Sequence, residues 1–168
     1  MTKLTLEQME ALQLVHEAAE FDLDLDAVMA TLVDNPVYEI PALGWHIEGR
    51  EAVLETYRRM LPGADKVNMW ADRRAHAASD TELCREAYVY FDTPEGRKTG
   101  QYFILMDFEG DRIRGERMYM CDTYAKAMAD VLGPDFGEIP GVSKLQDKVP
   151  APGARIDRAA ALAENQIR

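Results

Sequence analysis

The chain has 168 residues, 47% of them hydrophobic, and a formal charge of −11. That is enough apolar material for one folded domain with a sizeable core and too much for a disordered chain. The negative field repels phosphate backbones and anionic lipid, so neither nucleic acid nor a membrane surface is an expected partner.

No window reaches the length of a membrane-spanning helix. The N-terminal run Met1–Glu7 turns polar before any signal-type apolar core forms. The expectation is a soluble, cytoplasmic protein. Cys84 and Cys121 lie far apart with no metal-type spacing, which reads as two reduced thiols.

Thr5-Leu6-Glu7-Gln8 has the form of a capping box. It predicts a helix ending near Phe21, with Leu6, Met9, Leu12, Val15 and Ala19 on its apolar side. An aspartate of the run Asp22–Asp26 should cap a second helix over Asp26–Val33. Asp34-Asn35-Pro36 should stop it, with a short strand over Val37–Ile40 and a loop over Ala42–Gly49 holding Trp45 and His46. Arg50–Leu61 reads as a third helix with Ala52, Val53 and Tyr57 inward. Four strands follow, over Val67–Ala77, Leu83–Phe91, Thr99–Phe108 and Arg112–Cys121, separated by turn sequences. Thr123–Leu132 is a short helix closed by Gly133. Prolines and glycines alternate from Pro134 onward, which divides the chain into a domain, 1–133, and a C-terminal arm, 134–168. A small terminal helix over Ala159–Ala163 is the one element expected in that arm.

Helices followed by an antiparallel meander make an α+β layer fold. A strongly twisted sheet curling around the helices leaves one internal pocket. The run Asp34–Pro41, then Gly49-Arg50-Glu51-Ala52-Val53 and Tyr57, then Gly110–Ile113, Tyr119, Asp122 and Leu132-Gly133, resembles nuclear-transport-factor-2-like proteins. The similarity covers about Leu6–Gly133 and is closest to the polyketide-cyclase-like (SnoaL-like) branch. The resemblance implies a curved antiparallel sheet wrapped around N-terminal helices as a cone. Members include ketosteroid isomerases, limonene epoxide hydrolases, scytalone dehydratases and cofactor-free lyases. Their catalytic patterns are mostly missing here. Ile40 stands where the isomerases carry an Asp base, His16 where they carry a Tyr, and Ile104 at their second Asp. Arg85 matches the epoxide-hydrolase Arg, but Ala87 and Met118 occupy its two Asp places. Met69 replaces the dehydratase His.

With Arg85 inward, period-two alternation also turns Ala87, Val89 and Phe91 inward. Carried along the hairpins, the same resemblance implies that Tyr102, Ile104, Met106, Glu116, Met118 and Met120 face inward too. On the first strand Tyr38 and Ile40 join them, and Trp45 and Tyr57 are placed at the mouth. Such a pocket suits a small apolar aromatic or polycyclic molecule. His16 is either a core histidine bonded to a neighbour such as Glu20, or a proton donor and acceptor. Glu116 is either an exposed strand residue paired with Arg114 or Arg117, or a pocket base. Arg85, Tyr38 and Tyr102 are candidates for stabilising developing charge, with a structural role as the alternative for each.

His16, His46 and His76 lack ligand spacing and there is no H-E-x-x-H, so no metal is expected. Phosphate-binding loops and G-x-S-x-G elbows are also missing, and no cofactor is expected. The leading expectation is a cofactor-independent lyase or isomerase working by general acid–base catalysis, by an elimination such as deformylation or dehydration. The alternatives are a non-catalytic binding module or a polyketide-type cyclase. Tyr88, Tyr90, Phe103 and Leu105 on the outer face predict a homodimer through the sheet.

Overall fold

The computed structural model describes residues 4–63 and 69–148. Val67, the expected start of a strand, and Ala159–Ala163 lie outside them. Among the described residues four α-helices, α1 (Leu6–Phe21), α2 (Leu25–Ala30), α3 (Arg50–Gly63) and α4 (Asp122–Leu132), accompany seven strands. The strands are β1 (Leu32–Ile40), β2 (Trp45–Glu48), β3 (Trp70–Ala78), β4 (Glu82–Thr93), β5 (Gly96–Glu109), β6 (Arg112–Met120) and β7 (Val142–Lys144). They form one curved sheet in the order β3-β4-β5-β6-β1-β2-β7, in which only β1 and β6 run parallel.

The capping box forms as the sequence indicates. The Thr5 hydroxyl accepts from the Gln8 amide at 3.3 Å, and the Gln8 side chain accepts from the Thr5 amide at 2.8 Å. Asp24 is the aspartate that caps α2, accepting from the Ala27 amide at 3.0 Å. The burial of α1 differs from expectation. Met9, Gln13, His16 and Ala19 are buried, while Leu6, Leu14 and Val15 are exposed. The inward face of α1 carries polar groups because it borders the site described below.

Three further expectations are corrected. The second helix stops at Ala30, and Leu32 and Val33 belong to β1. Asn35-Pro36 does not separate a helix from a strand. It sits in an irregularity inside β1, between the pairs Leu32↔Ile113 and Val37↔Gly115. Proline lacks a ladder donor and is tolerated at such a bulge. The expected loop Ala42–Gly49 is a 3-10 turn, Pro41–Leu43, followed by β2.

Long strands β4 and β5 pair over twelve consecutive residues, and β5 pairs β6 with one irregularity at Asp107/Phe108. That register turns Arg85, Ala87, Val89, Phe91, Met106 and Glu116 to the buried face, as expected. The helices cover this concave face. Tyr57 of α3 lies edge-on to Tyr38 of β1, and Tyr124 of α4 packs on Phe91 and Tyr102. Fully burying each such side chain contributes about 1.5–3 kcal/mol. Glycine is needed where backbones meet. A Cβ on Gly115 would overlap the Val37 carbonyl oxygen, so glycine here lets β6 close on β1. After α4, Phe136 is buried and β7 pairs β2, while Arg59 on α3 binds the Leu132 carbonyl and Asp135. No helix among the described residues is long and apolar enough to cross a membrane.

Candidate active site

The site begins with a histidine on the third turn of α1. His16 is 1% exposed. Its Nδ1 lies 2.7 Å from the Thr31 hydroxyl oxygen, and that hydroxyl donates its one proton to the Val28 carbonyl at 2.6 Å. Thr31 is therefore an acceptor toward His16, and Nδ1 carries a proton. The opposite nitrogen, Nε2, faces the other polar groups of the site. It lies 2.9 Å from the Tyr57 hydroxyl, 3.4 Å from Glu116 and 3.5 Å from Glu20. Tyr57 in turn shares a 2.9 Å hydrogen bond with Tyr38.

Four elements place these groups. Helix period puts Gln13, His16, Glu17 and Glu20 on one face of α1. Glu116 projects from β6 directly opposite Tyr38, its partner on β1. Tyr57 comes from α3. Burial by itself lowers the pKa of His16. The hydrogen bond with Glu116 and the charges of Glu20, Glu116 and Glu17 outweigh it and hold the pKa above the ordinary 6.5. Burial pushes Tyr38 and Tyr57 well above the usual phenol range, so both are neutral donors at physiological pH. Tyr102 is pushed up to about 12, chiefly by burial and secondly by Glu17.

Beside this network lies a pocket of about 190 Å³. An engineered cavity of roughly 150 Å³ holds benzene, so one ring with small substituents fits. The polar end is Gln13, His16, Glu17, Glu20 and Glu116. The remaining wall is largely apolar, from β4, β5, β6, α3 and α4, with Phe91, Tyr102, Ile104, Met118, Tyr124 and Met128 prominent. A smaller cavity of about 20 Å³ adjoins it, sharing Glu20, Met60, Glu116 and Met118 and bounded by Tyr38, Ile40 and Tyr57.

The structure brings most of the sequence candidates together. His16, Tyr102, Ile104, Glu116 and Met118 line the main pocket, and Tyr38, Ile40 and Tyr57 line its annex. Tyr57 is at the floor rather than the mouth, 1% exposed. Arg85 lies behind the wall, buried and bonded to Glu17 and Gln13 of α1 rather than to Glu116. Glu116 is 5% exposed and faces His16, whereas Arg114 and Arg117 pair with Asp107. Trp45 lines neither cavity. It stacks edge-on to Phe136 at 5.7 Å, with Lys144 3.5 Å above its ring.

Sequence reasoning missed Gln13, Glu17 and Glu20 as site residues. With His16, Glu17 and Glu20 three, four and seven residues after Gln13, helical spacing was the available signal. Among the described residues no group of three His, Cys, Asp or Glu side chains is arranged to hold a metal.

No family model matches the chain, and no curated protein matches it either. Solved structures do. A nuclear-transport-factor-2-like protein of Cytophaga hutchinsonii ATCC 33406 superposes with a TM-score of 0.56 at 19% identity, covering 67% of this chain and 99% of that one. A candidate polyketide cyclase of Xanthomonas campestris pv. campestris gives 0.56 at 18% identity, over 73% and 98%. An LEH-like epoxide hydrolase of M. tuberculosis gives 0.58 at 20% identity, over 75% and 92%. Helices over the concave face of a curved sheet, with a pocket between them, give this chain the nuclear-transport-factor-2-like fold.

Proposed function

We propose that the chain is a cofactor-independent acid–base catalyst, a lyase or isomerase, acting on a small cyclic molecule about one ring in size. The observation that carries this reading is the His16–Glu116 pair, 3.4 Å apart at the polar end of a mostly apolar pocket. Glu116 takes a proton from a carbon next to a carbonyl. The electron pair of that C–H bond moves onto the carbonyl oxygen, where a phenol such as Tyr102 donates a hydrogen bond. His16 Nε2 shares the abstracted proton and returns it. Delivered to another carbon, it completes a double-bond shift. Delivered to a departing hydroxide, it completes a dehydration. Tyr38 and Tyr57 keep the network in register.

The test is deuterium uptake from D₂O into cyclohexenone and acetophenone, followed by proton NMR. Enzyme-dependent exchange at the carbon beside the carbonyl, lost in Glu116→Gln, is the expected result. Wild-type exchange no faster than buffer would overturn the reading in favour of a binding module.

We also propose that two copies pair through the outer sheet face, where Tyr88, Phe103 and Tyr119 are exposed. Light scattering at micromolar concentration should give twice the chain mass.

A further inference from the structure

The tyrosines of this site are engaged in different ways. Tyr38 and Tyr57 share a hydrogen bond, and Tyr57 also bonds His16. Tyr102 on β5 and Tyr124 on α4 line the main pocket, and among the described residues neither hydroxyl has a hydrogen-bond partner. Tyr124 is 9% exposed, which is unusual for a phenol without a partner. Its oxygen is nevertheless not sealed in. Among the described residues the fully enclosed polar atoms without partners are His76 Nδ1, Arg85 Nε and Arg117 Nε. The open space beside both rings is the pocket.

Local packing sets this pair in place. The two rings lie 6.1 Å apart with their planes tilted by 40°, and Phe91 backs Tyr124 at 5.5 Å. A Cβ on Gly100 would come within 2.7 Å of the Tyr124 Cβ, so glycine lets α4 sit down on β5 here. Burial pushes Tyr102 up to about 12 and Tyr124 well above the usual phenol range, so each keeps its proton at physiological pH. Each then has one hydrogen to donate, and a carbonyl oxygen accepts two. Tyr102 pairs with Met120, four residues along β6 from Glu116, so the phenols and the His16–Glu116 pair meet a ligand from different sides. We propose that Tyr102 and Tyr124 together hold the carbonyl oxygen of the ligand, and that the pocket takes a ring bearing a ketone or aldehyde. This rests on the acid–base reading of the same pocket, adds Tyr124 to it and names its substrate class. A ligand of the same shape without that oxygen leaves two desolvated donors unsatisfied, and a site built to hydrogen-bond discriminates strongly on that ground.

The test compares acetophenone with α-methylstyrene, which has a CH₂ group where acetophenone has its oxygen. Binding of each is followed by NMR titration at neutral pH in the wild type, Tyr102→Phe and Tyr124→Phe. Each variant should weaken acetophenone about five-fold, the effect of one modest hydrogen bond, and leave α-methylstyrene as tight as before or tighter. Infrared spectra of bound, isotope-labelled acetophenone should place the carbonyl stretch at lower frequency in the wild type than in either variant. Phenylalanine keeps the ring and its packing, and if one variant folds poorly the other carries the reading. The wild-type stretch, compared with that of acetophenone in hexane, needs no variant at all. Equal weakening of both ligands, acetophenone binding unchanged in the folded variants, no acetophenone binding, or a wild-type stretch equal to that in hexane overturns the proposal. Deuterium exchange reads the base separately. Exchange in the wild type with ketone binding unmoved in the variants rejects the oxygen site alone. Ketone binding weakened in the variants, with no wild-type exchange, rejects the catalytic reading alone.

Discussion

Two histidines in this chain each sit between two glutamates, in different surroundings. His46 on β2 lies 3.3 Å from Glu39 and 3.4 Å from Glu48, and His16 lies 3.4 Å from Glu116 and 3.5 Å from Glu20. The distances are nearly the same. Around His46 the glutamates reach water, Glu48 being 46% exposed and also 3.6 Å from Lys148. Glu48 is held below its ordinary 4.5, first by the hydrogen bond from His46 and then by Lys148. Around His16 the key partner is enclosed, and the perturbed group is the imidazole itself. Water screens the carboxylates of the first constellation, so their contacts with His46 are worth little. The second has Tyr57, Tyr38 and an apolar pocket beside it. Chemistry follows the surroundings of a histidine–glutamate pair, and the pair by itself does not declare it.

The sharpest way to break this comparison is to remove one carboxylate from each cluster. Glu116→Gln should lower deuterium exchange about 10²-fold or more, the usual range for a lost general base. Glu48→Gln should leave the rate at the wild-type value. Equal losses would mean that the two clusters are equivalent.

Next in size is the backbone that carries Glu116. Gly115→Ala forces a methyl into the Val37 carbonyl, and urea denaturation should show a loss of about 3 kcal/mol, at the upper end of overpacking costs. Thr31→Val is smaller. It leaves the buried Nδ1 proton of His16 without its acceptor and should cost about 2 kcal/mol.

The smallest effect is the response to pH. The folded pKa of His16 lies above 6.5, so the folded chain binds that proton more tightly than the unfolded chain. The resulting stabilisation is fully present below 6.5 and is lost as pH rises through the folded value. Denaturation midpoints of the wild type should fall across that window, and His16→Gln should flatten the slope. A slope unchanged in His16→Gln would assign it to another group.

The inward residues of β4 were legible because a period of two is unambiguous once Arg85 is placed. Tyr102, Ile104, Glu116 and Met118 on β5 and β6 needed the family resemblance as well, because alternation on one strand does not set the register of the next. The inner face of α1 was not legible. Apolar periodicity picks out Val15, which is exposed, and passes over Gln13, which is buried. Burial there is set by the partners Arg85, Thr31 and Tyr57, which come from distant parts of the chain. β2 was hidden for a similar reason. It has only four residues, and its second partner is β7, at Val142–Lys144. Trp45 was mistaken for a pocket residue because an aromatic side chain in an apparent loop carries no sign of which cavity it faces. Its partner Phe136 lies about ninety residues later in a segment read as an arm.

The irregularity in β1 bears on how such a protein changes over generations. Five positions separate Leu32 from Val37, against two between their partners Ile113 and Gly115. Asp34 and Asn35, both exposed, belong to this slack. A change in length that the slack absorbs leaves Tyr38 opposite Glu116. One passed on as a single-residue shift turns Val37 and Glu39 inward in place of Tyr38 and Ile40. Insertion or deletion at Asp34–Pro36 is thus a heritable switch that can exchange one wall of the cavity in a single event, without substituting any residue that lines it.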